Sequence, residues 1–283
     1  MNRYTTQPDY IFEIPPVKNP LVYIYRICAK IFCFCFFGLG SGILGIVALP
    51  FMKILWPRKK DFQKHARILV SRLFRFFIWF MTVIHICRFK VENKERLRDA
   101  GGCVVVANHP SLLDVVMLIS ILPNADCIVN ASLKKNIVGA IVAYLYITND
   151  YEHEELIEKC VESINNGNAL IIFPEGTRTK PEGQNQYKKG AARVALAAKC
   201  PVIPVFMGGN DKLGLRKKDP MLLFNHTDPY IYNLYVKPEI SMEEFSELPP
   251  ARAAKQVTDR MKDVLCYENN WDKIIGKNPL RQS

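Results

Sequence analysis

Cys103-Val104-Val105-Val106-Ala107-Asn108-His109-Pro110-Ser111-Leu112-Leu113-Asp114 is the stretch whose reading decides the fold. Its first five residues are apolar without alternation, with three valines at the centre. That pattern reads as a strand buried on both faces. Pro110 and Ser111 interrupt it, and a helical run is predicted from Asp114 to Leu122. A buried strand that turns directly into a helix opens an α/β unit. His109 follows the strand, and open α/β sheets gather ligands beyond the carboxyl ends of their strands. Four residues separate His109 from Asp114, so the carboxylate can hold one ring nitrogen across a single turn. The other nitrogen is then left to take a proton.

Working outward, the same alternation repeats. Strands are predicted at 127–130, 169–173, 202–206 and 230–236. Helices are predicted at 137–145, 152–165, 191–199 and 249–267. The fold class is therefore α/β: a mixed, largely parallel sheet flanked by helices, with an N-terminal membrane-associated helical segment. The third strand runs into Phe173-Pro174-Glu175-Gly176-Thr177-Arg178. There a glycine allows close backbone approach, and an arginine offers a planar fork suited to phosphate.

The ordered set His109…Asp114, Phe173-Pro174-Glu175-Gly176-Thr177-Arg178 and Val202-Ile203-Pro204-Val205 resembles the glycerolipid acyltransferases. These are the PlsC-like enzymes that acylate glycerol 3-phosphate and 1-acylglycerol 3-phosphate (lysophosphatidate). The likeness covers roughly residues 90 to 210. It implies His109 and Asp114 as the catalytic pair, with His109 as general base. It implies Glu175, Gly176, Thr177 and Arg178 as substrate-binding residues, Arg178 on phosphate and Glu175 bracing the loop. The acyl donor would be a thioester, acyl-CoA or acyl-ACP, so acyl carrier protein is a candidate partner and no further cofactor is expected. One departure bears on the acceptor. Where phosphate-using members carry an arginine in the second block, this chain has Asn149 and Asp150, with Lys134 and Lys135 upstream as candidate substitutes. A lysophosphatidate-like acceptor leads. A lysophospholipid or aminolipid acceptor, and a non-catalytic lipid-binding role, stay open. Ser111 reads as a helix cap, and Lys180, Lys188 and Lys189 as a solvated basic face.

Charge is divided unevenly. Residues 1–100 hold 17 Lys/Arg against 6 Asp/Glu, whereas residues 101–283 hold 21 of each. The basic third is also the most apolar, which suits an anionic membrane surface and disfavours nucleic acid. Residues 31–52 lack any charge. As a helix they rise about 33 Å, enough to cross a bilayer core of about 30 Å. Gly38 and Gly42 form a G-x-x-x-G face; a membrane-dipping hairpin is the equal alternative. Lys53, Arg58, Lys59, Lys60 and Lys64 follow, which would set the catalytic domain on the cytoplasmic face. Residues 76–87 read as a separate interfacial helix. The expected division is therefore a membrane-anchoring region, 1–89, and an acyltransferase domain, 90–283. Residues 1–20, with four prolines, read as an irregular lead-in without a secretory signal, and the tail from Asn269 as loosely held.

The nine cysteines are odd in number, scattered and without a C-x-x-C pair, as for buried thiols in a reducing compartment. No metal is expected: His153-Glu154-Glu155 lacks a second histidine at helical spacing. G-x-S-x-G is absent, so no serine nucleophile is expected.

Overall fold

The computed structural model describes residues 3–7, 10–13, 17–97, 100–179, 186–220, 222–225 and 228–274. Within the lead-in, β1 (Arg3–Gln7) and β2 (Tyr10–Glu13) pair antiparallel, with Arg3 opposite Glu13. Backbone pairing there replaces the irregular chain that the prolines suggested.

The main sheet has seven strands: β3 (Cys87–Glu92), β4 (Cys103–Ala107), β5 (Ala125–Val129), β6 (Ile147–Thr148), β7 (Ala169–Ile172), β8 (Val202–Gly209) and β9 (Tyr230–Val236). Their order is β3-β9-β8-β4-β7-β5-β6. Only the β8–β9 pairing is antiparallel. β4 lies at the centre and all five of its residues are buried. Its side chains alternate between two cores, Cys103, Val105 and Ala107 on one face, Val104 and Val106 on the other. Each fully buried valine contributes about 1.5–3 kcal/mol, so this strand fixes both layers at once.

Helices cover both faces. On one side lie α1 (Pro20–Ile43), α2 (Leu49–Leu55), α3 (Lys59–Val83), α4 (Asp114–Ile121) and α5 (Gly139–Leu145). On the other lie α6 (His153–Asn165), α7 (Gly190–Ala198) and α8 (Pro250–Leu265).

α1 and α2 are one 36-residue apolar helix, long enough to cross a membrane, joined by a π-helical turn at Leu44–Ala48. Pro50 explains that turn: it has no N–H to donate and its ring crowds the preceding carbonyls, so the helix widens before it. A Cβ added at Gly38 or Gly42 would meet, among the described residues, only the side chain of Ile137, at van der Waals distance. The tight approach is at Gly45, where an added Cβ would lie 2.9 Å from the Ala140 Cβ. Lys30, buried on α1, donates to Leu223 O at 2.7 Å. At the far end, the Lys53 ammonium sits over the Tyr144 ring. The apolar helix is thus fastened sideways to the α/β domain along most of its length.

Three expectations are corrected. The stretch 76–87 is not a separate helix: residues up to Val83 finish α3 and Cys87 opens β3. The division drawn at residue 89 falls inside β3, which pairs with β9 in the main sheet. The start of the tail is anchored. Asn270 is fully buried and donates to Val264 O and Cys266 O, because the turn at Glu268–Lys273 packs under β8.

Candidate active site

The carboxyl end of β4 delivers Asn108 and His109. Asn108 is buried and bonds β8 twice, donating to Met207 O (3.1 Å) and accepting from Met207 N (2.7 Å). That clamp fixes the backbone just before the histidine. The His109 Nδ1 lies 2.8 Å from Asp114 Oδ2. Asp114, the first residue of α4, is fully buried, while the histidine side chain keeps 16% exposure. Ser111 completes the carboxylate's shell: its N–H donates to Oδ2 (2.7 Å) and its hydroxyl to Oδ1 (2.6 Å). With Nδ1–H donated to Asp114, the lone pair lies on Nε2, which has no hydrogen-bond partner among the described residues.

Ser111 is not the cap expected of it: Leu113 stands at the N-cap of α4 without a side-chain capping bond, and Ser111 holds the carboxylate instead. Its oxygen also meets the hydroxyl of Tyr232 at 2.8 Å. Tyr232 is fully buried on β9, and burial, with the charge of Asp114 added, pushes its pKa well above the usual phenol range. It stays protonated and donates, giving a chain Tyr232, Ser111, Asp114, His109. A tyrosine at an inward position of an alternating strand must find a partner for its hydroxyl. That was the sequence signal for Tyr232.

The second motif locks the first. The His109 N–H donates to Glu175 Oε1 (3.2 Å), and His109 O accepts from Thr179 N (2.7 Å). The Thr179 hydroxyl donates to the same Glu175 oxygen at 2.7 Å. The Phe173 ring stacks on the imidazole, centroids 4.1 Å apart. Glu175 is buried and absent from the cavity lining, so it braces the loop and does not face a substrate. Gly176, Thr177 and Arg178 do line the cavity. Gly176 adopts φ +66°, which a side chain would strain. Arg178 Nη1 donates to Leu215 O (3.1 Å) and Arg216 O (3.0 Å), which holds the guanidinium at the cavity wall.

The cavity measures about 970 Å³. It runs from His109 inward among Phe34, Phe37, Phe74, Phe77 and Ile119, between the long helices and the sheet. Its rim carries Lys188, Lys189, Arg193 and His153. The expected substitutes for the second-block arginine fall elsewhere: Lys134 pairs with Asp150 at 2.9 Å, and neither Lys134 nor Lys135 lines the cavity. Asn149 lines it, with its side-chain oxygen accepting from Ala131 N. Lys188 and Lys189, read from sequence as a solvated face, line it too, while Lys180 lies outside the described residues. Among the described residues no group of three His, Cys, Asp or Glu side chains could hold a metal.

Residues 88–208 match the family model described as Acyltransferase. The chain is 33% identical over 127 residues to the putative 1-acyl-sn-glycerol-3-phosphate acyltransferase acl-2 of Caenorhabditis elegans, covering 41% of this chain and 44% of that protein. It is 28% identical over 251 residues to the 1-acyl-sn-glycerol-3-phosphate acyltransferase of Saccharomyces cerevisiae, covering 85% and 75%. The chain spans 44–62% of the length of acl-2, the chloroplastic BAT2 of Brassica napus and acl-1 of Caenorhabditis elegans. In fold it is similar to the crystal structure of the 1-acyl-sn-glycerophosphate (LPA) acyltransferase PlsC from Thermotoga maritima. The TM-score there is 0.60 at 20% identity, covering 87% of this chain and 96% of that one. The match to the Acyltransferase family model thus lies at residues 88–208, and the fold around it is similar to that of PlsC.

Proposed function

We propose that this protein is a membrane-bound O-acyltransferase that moves a fatty acyl group from an acyl thioester to the hydroxyl of a lysophosphatidate-like acceptor. The observation that carries this reading is the oriented His109–Asp114 pair at the edge of an apolar cavity. Nε2 takes the proton of the acceptor hydroxyl as its oxygen attacks the thioester carbonyl carbon. A tetrahedral oxyanion forms, the C–S bond breaks, and the departing sulfur recovers the proton from the imidazolium. Asp114 steadies the imidazolium while it exists. The apolar cavity suits an acyl chain and keeps water from the thioester. Acyl-CoA and acyl-ACP both present the same phosphopantetheine thioester, so either serves this chemistry. The relatives named for 1-acyl-sn-glycerol-3-phosphate support the acceptor. Asn149, in place of an arginine, favours testing neutral and zwitterionic lysolipids beside it.

The membrane arrangement follows from the helices. Leu39, Ile43, Ile46 and Phe51 are exposed on the long helix, and Phe76, Trp79 and Val83 on α3. Because the long helix is fastened along its side to the α/β domain, it beds in the leaflet with that domain alongside. The basic residues Lys59, Lys60 and Lys64 then meet anionic headgroups, in keeping with a cytoplasmic catalytic face.

The test is acyl transfer by purified full-length protein in mixed micelles, with lysophosphatidate as acceptor and acyl-CoA or acyl-ACP as donor. His109→Ala is expected to lower kcat by about 10²–10⁴-fold. Equal rates for wild type and variant would refute the assignment. Free fatty acid as the sole product would mean a thioesterase.

A further inference from the structure

The cavity wall has an unbalanced charge. Among the described residues five Lys or Arg side chains line it (Lys30, Arg178, Lys188, Lys189 and Arg193), and no Asp or Glu does. Three of the five are engaged: Lys30 and Arg178 on backbone carbonyls, Arg193 on the His153 ring. Lys188 and Lys189 have no carboxylate partner among the described residues. They stand just before α7, and the Lys188 N–H is pinned to Pro174 O at 2.8 Å. The Lys188 side chain lies across Gly176, since a Cβ added there would come within 2.9 Å of its Nζ. An ammonium is therefore held over the turn that leads into Arg178. Lys188, Lys189 and Arg193 stand together at the start of α7, and like charges gathered there favour an anion. A phosphate monoester, with close to two negative charges, is the ligand that such a wall fits.

We propose that Lys188 and Lys189, with Arg193 beside them, form a phosphate-binding rim that takes the terminal phosphate monoester of the acyl acceptor. This rim supplies the positive charge that Asn149 lacks. The proposal rests on the acyltransferase reading above. Both substrates can bring phosphate to this wall, the acceptor through its headgroup and the donor through its pantetheine arm. The acceptor is favoured because Lys188 overlies the Gly176–Arg178 turn, whose own start braces the His109 backbone through Glu175.

The experiment compares wild type, Lys188→Gln/Lys189→Gln and the charge-preserving Lys188→Arg/Lys189→Arg. KM is measured separately for lysophosphatidate and for acyl-CoA. The glutamine pair is expected to raise KM for lysophosphatidate at least tenfold, with kcat changed less than threefold and KM for acyl-CoA unchanged. The arginine pair is expected to restore KM to near wild type. A rise confined to acyl-CoA would put the donor's phosphates on the rim and overturn the proposal, as would no change in either KM. Equilibrium binding of lysophosphatidate to His109→Ala separates the two readings. If the wild type transfers no acyl group, yet His109→Ala binds lysophosphatidate and loses it on adding the glutamine pair, the rim stands and the catalytic assignment fails. If binding is indifferent to the pair, the rim fails.

Discussion

Tyr232 has no reach to a substrate, yet its hydroxyl is the last member of a four-residue hydrogen-bond chain that ends at the imidazole. Each donor in that chain leaves the next acceptor one way to point, so the orientation of Asp114 is set from β9, more than a hundred residues away in sequence. Tyr232→Phe removes one neutral hydrogen bond, worth about 0.5–1.5 kcal/mol net. The ring still fills its place in the core. The expected outcome is a fall in kcat of about 3–10-fold, KM values unchanged, and an unchanged melting temperature within a few degrees. Steady-state kinetics over a pH series checks it. A positioning role lowers kcat while both KM values and the melting temperature hold. A loss of melting temperature with a proportional loss of active protein would mean that the hydroxyl serves only the core.

At the scale of the element, α3 is joined to the sheet by a buried ion pair. Arg67 Nη2 donates to Asp126 Oδ2 at 2.8 Å and to Leu145 O at 3.1 Å, with the two side chains 6% and 3% exposed. Burial raises the pKa of Asp126, and Arg67, Ser163 and the Cys127 N–H pull it back. A carboxyl whose folded pKa is raised gives most stability below the ordinary carboxylate range, and loses it as pH rises through the folded value. Arg67→Met removes the main opposing charge, so this loss deepens and moves to higher pH. The variant is expected to be destabilised by about 3–5 kcal/mol at neutral pH and by less under acid conditions, and Asp126→Asn added to it should recover part of the loss. Thermal unfolding at pH 5 and pH 8 checks this; equal destabilisation at both would exclude an ionised Asp126 as the cause. No sequence reading could pair residues 59 positions apart. The same limit explains what was legible elsewhere. β4 and β7 were visible because burial on both faces leaves an unbroken apolar run. β3 was not: as an edge strand it carries Arg88, Lys90 and Glu92 on alternate residues, and its first residue closes an apolar run that reads as a helix. The His109–Asp114 pair was visible because it closes within one turn. Tyr232 and the Lys188 rim come from other strands and loops, and only the fold brings the one to Ser111 and the other to the cavity.

For the whole molecule, the long N-terminal helices and the main sheet are not separable. Leu44, Leu49, Ile78 and Met81 share one core with Val105, Val116 and Ile119. Cutting at residue 89 would halve β3 and bare that core, so the truncated chain is expected to aggregate and would say nothing about membranes. The decisive variants leave the core alone and change only the outward face. Leu39, Ile43 and Ile46 are 66%, 54% and 75% exposed and lie on one side of the long helix. Turning all three into lysine places charge where lipid would lie, at about 2.5–3.5 kcal/mol per residue at the bilayer centre and less near the headgroups. The triple variant is expected to keep its melting temperature in detergent but to stay at the bottom of a flotation gradient with anionic vesicles, where the wild type rises. High salt should weaken wild-type flotation only in part, since the basic residues are screened while the apolar face is not. Flotation of the triple variant in high salt, equal to that of wild type, would mean that this face meets something other than the bilayer. Trp79, 57% exposed on α3, gives an independent reading: brominated lipid should quench its fluorescence in wild type and leave it bright in the triple variant.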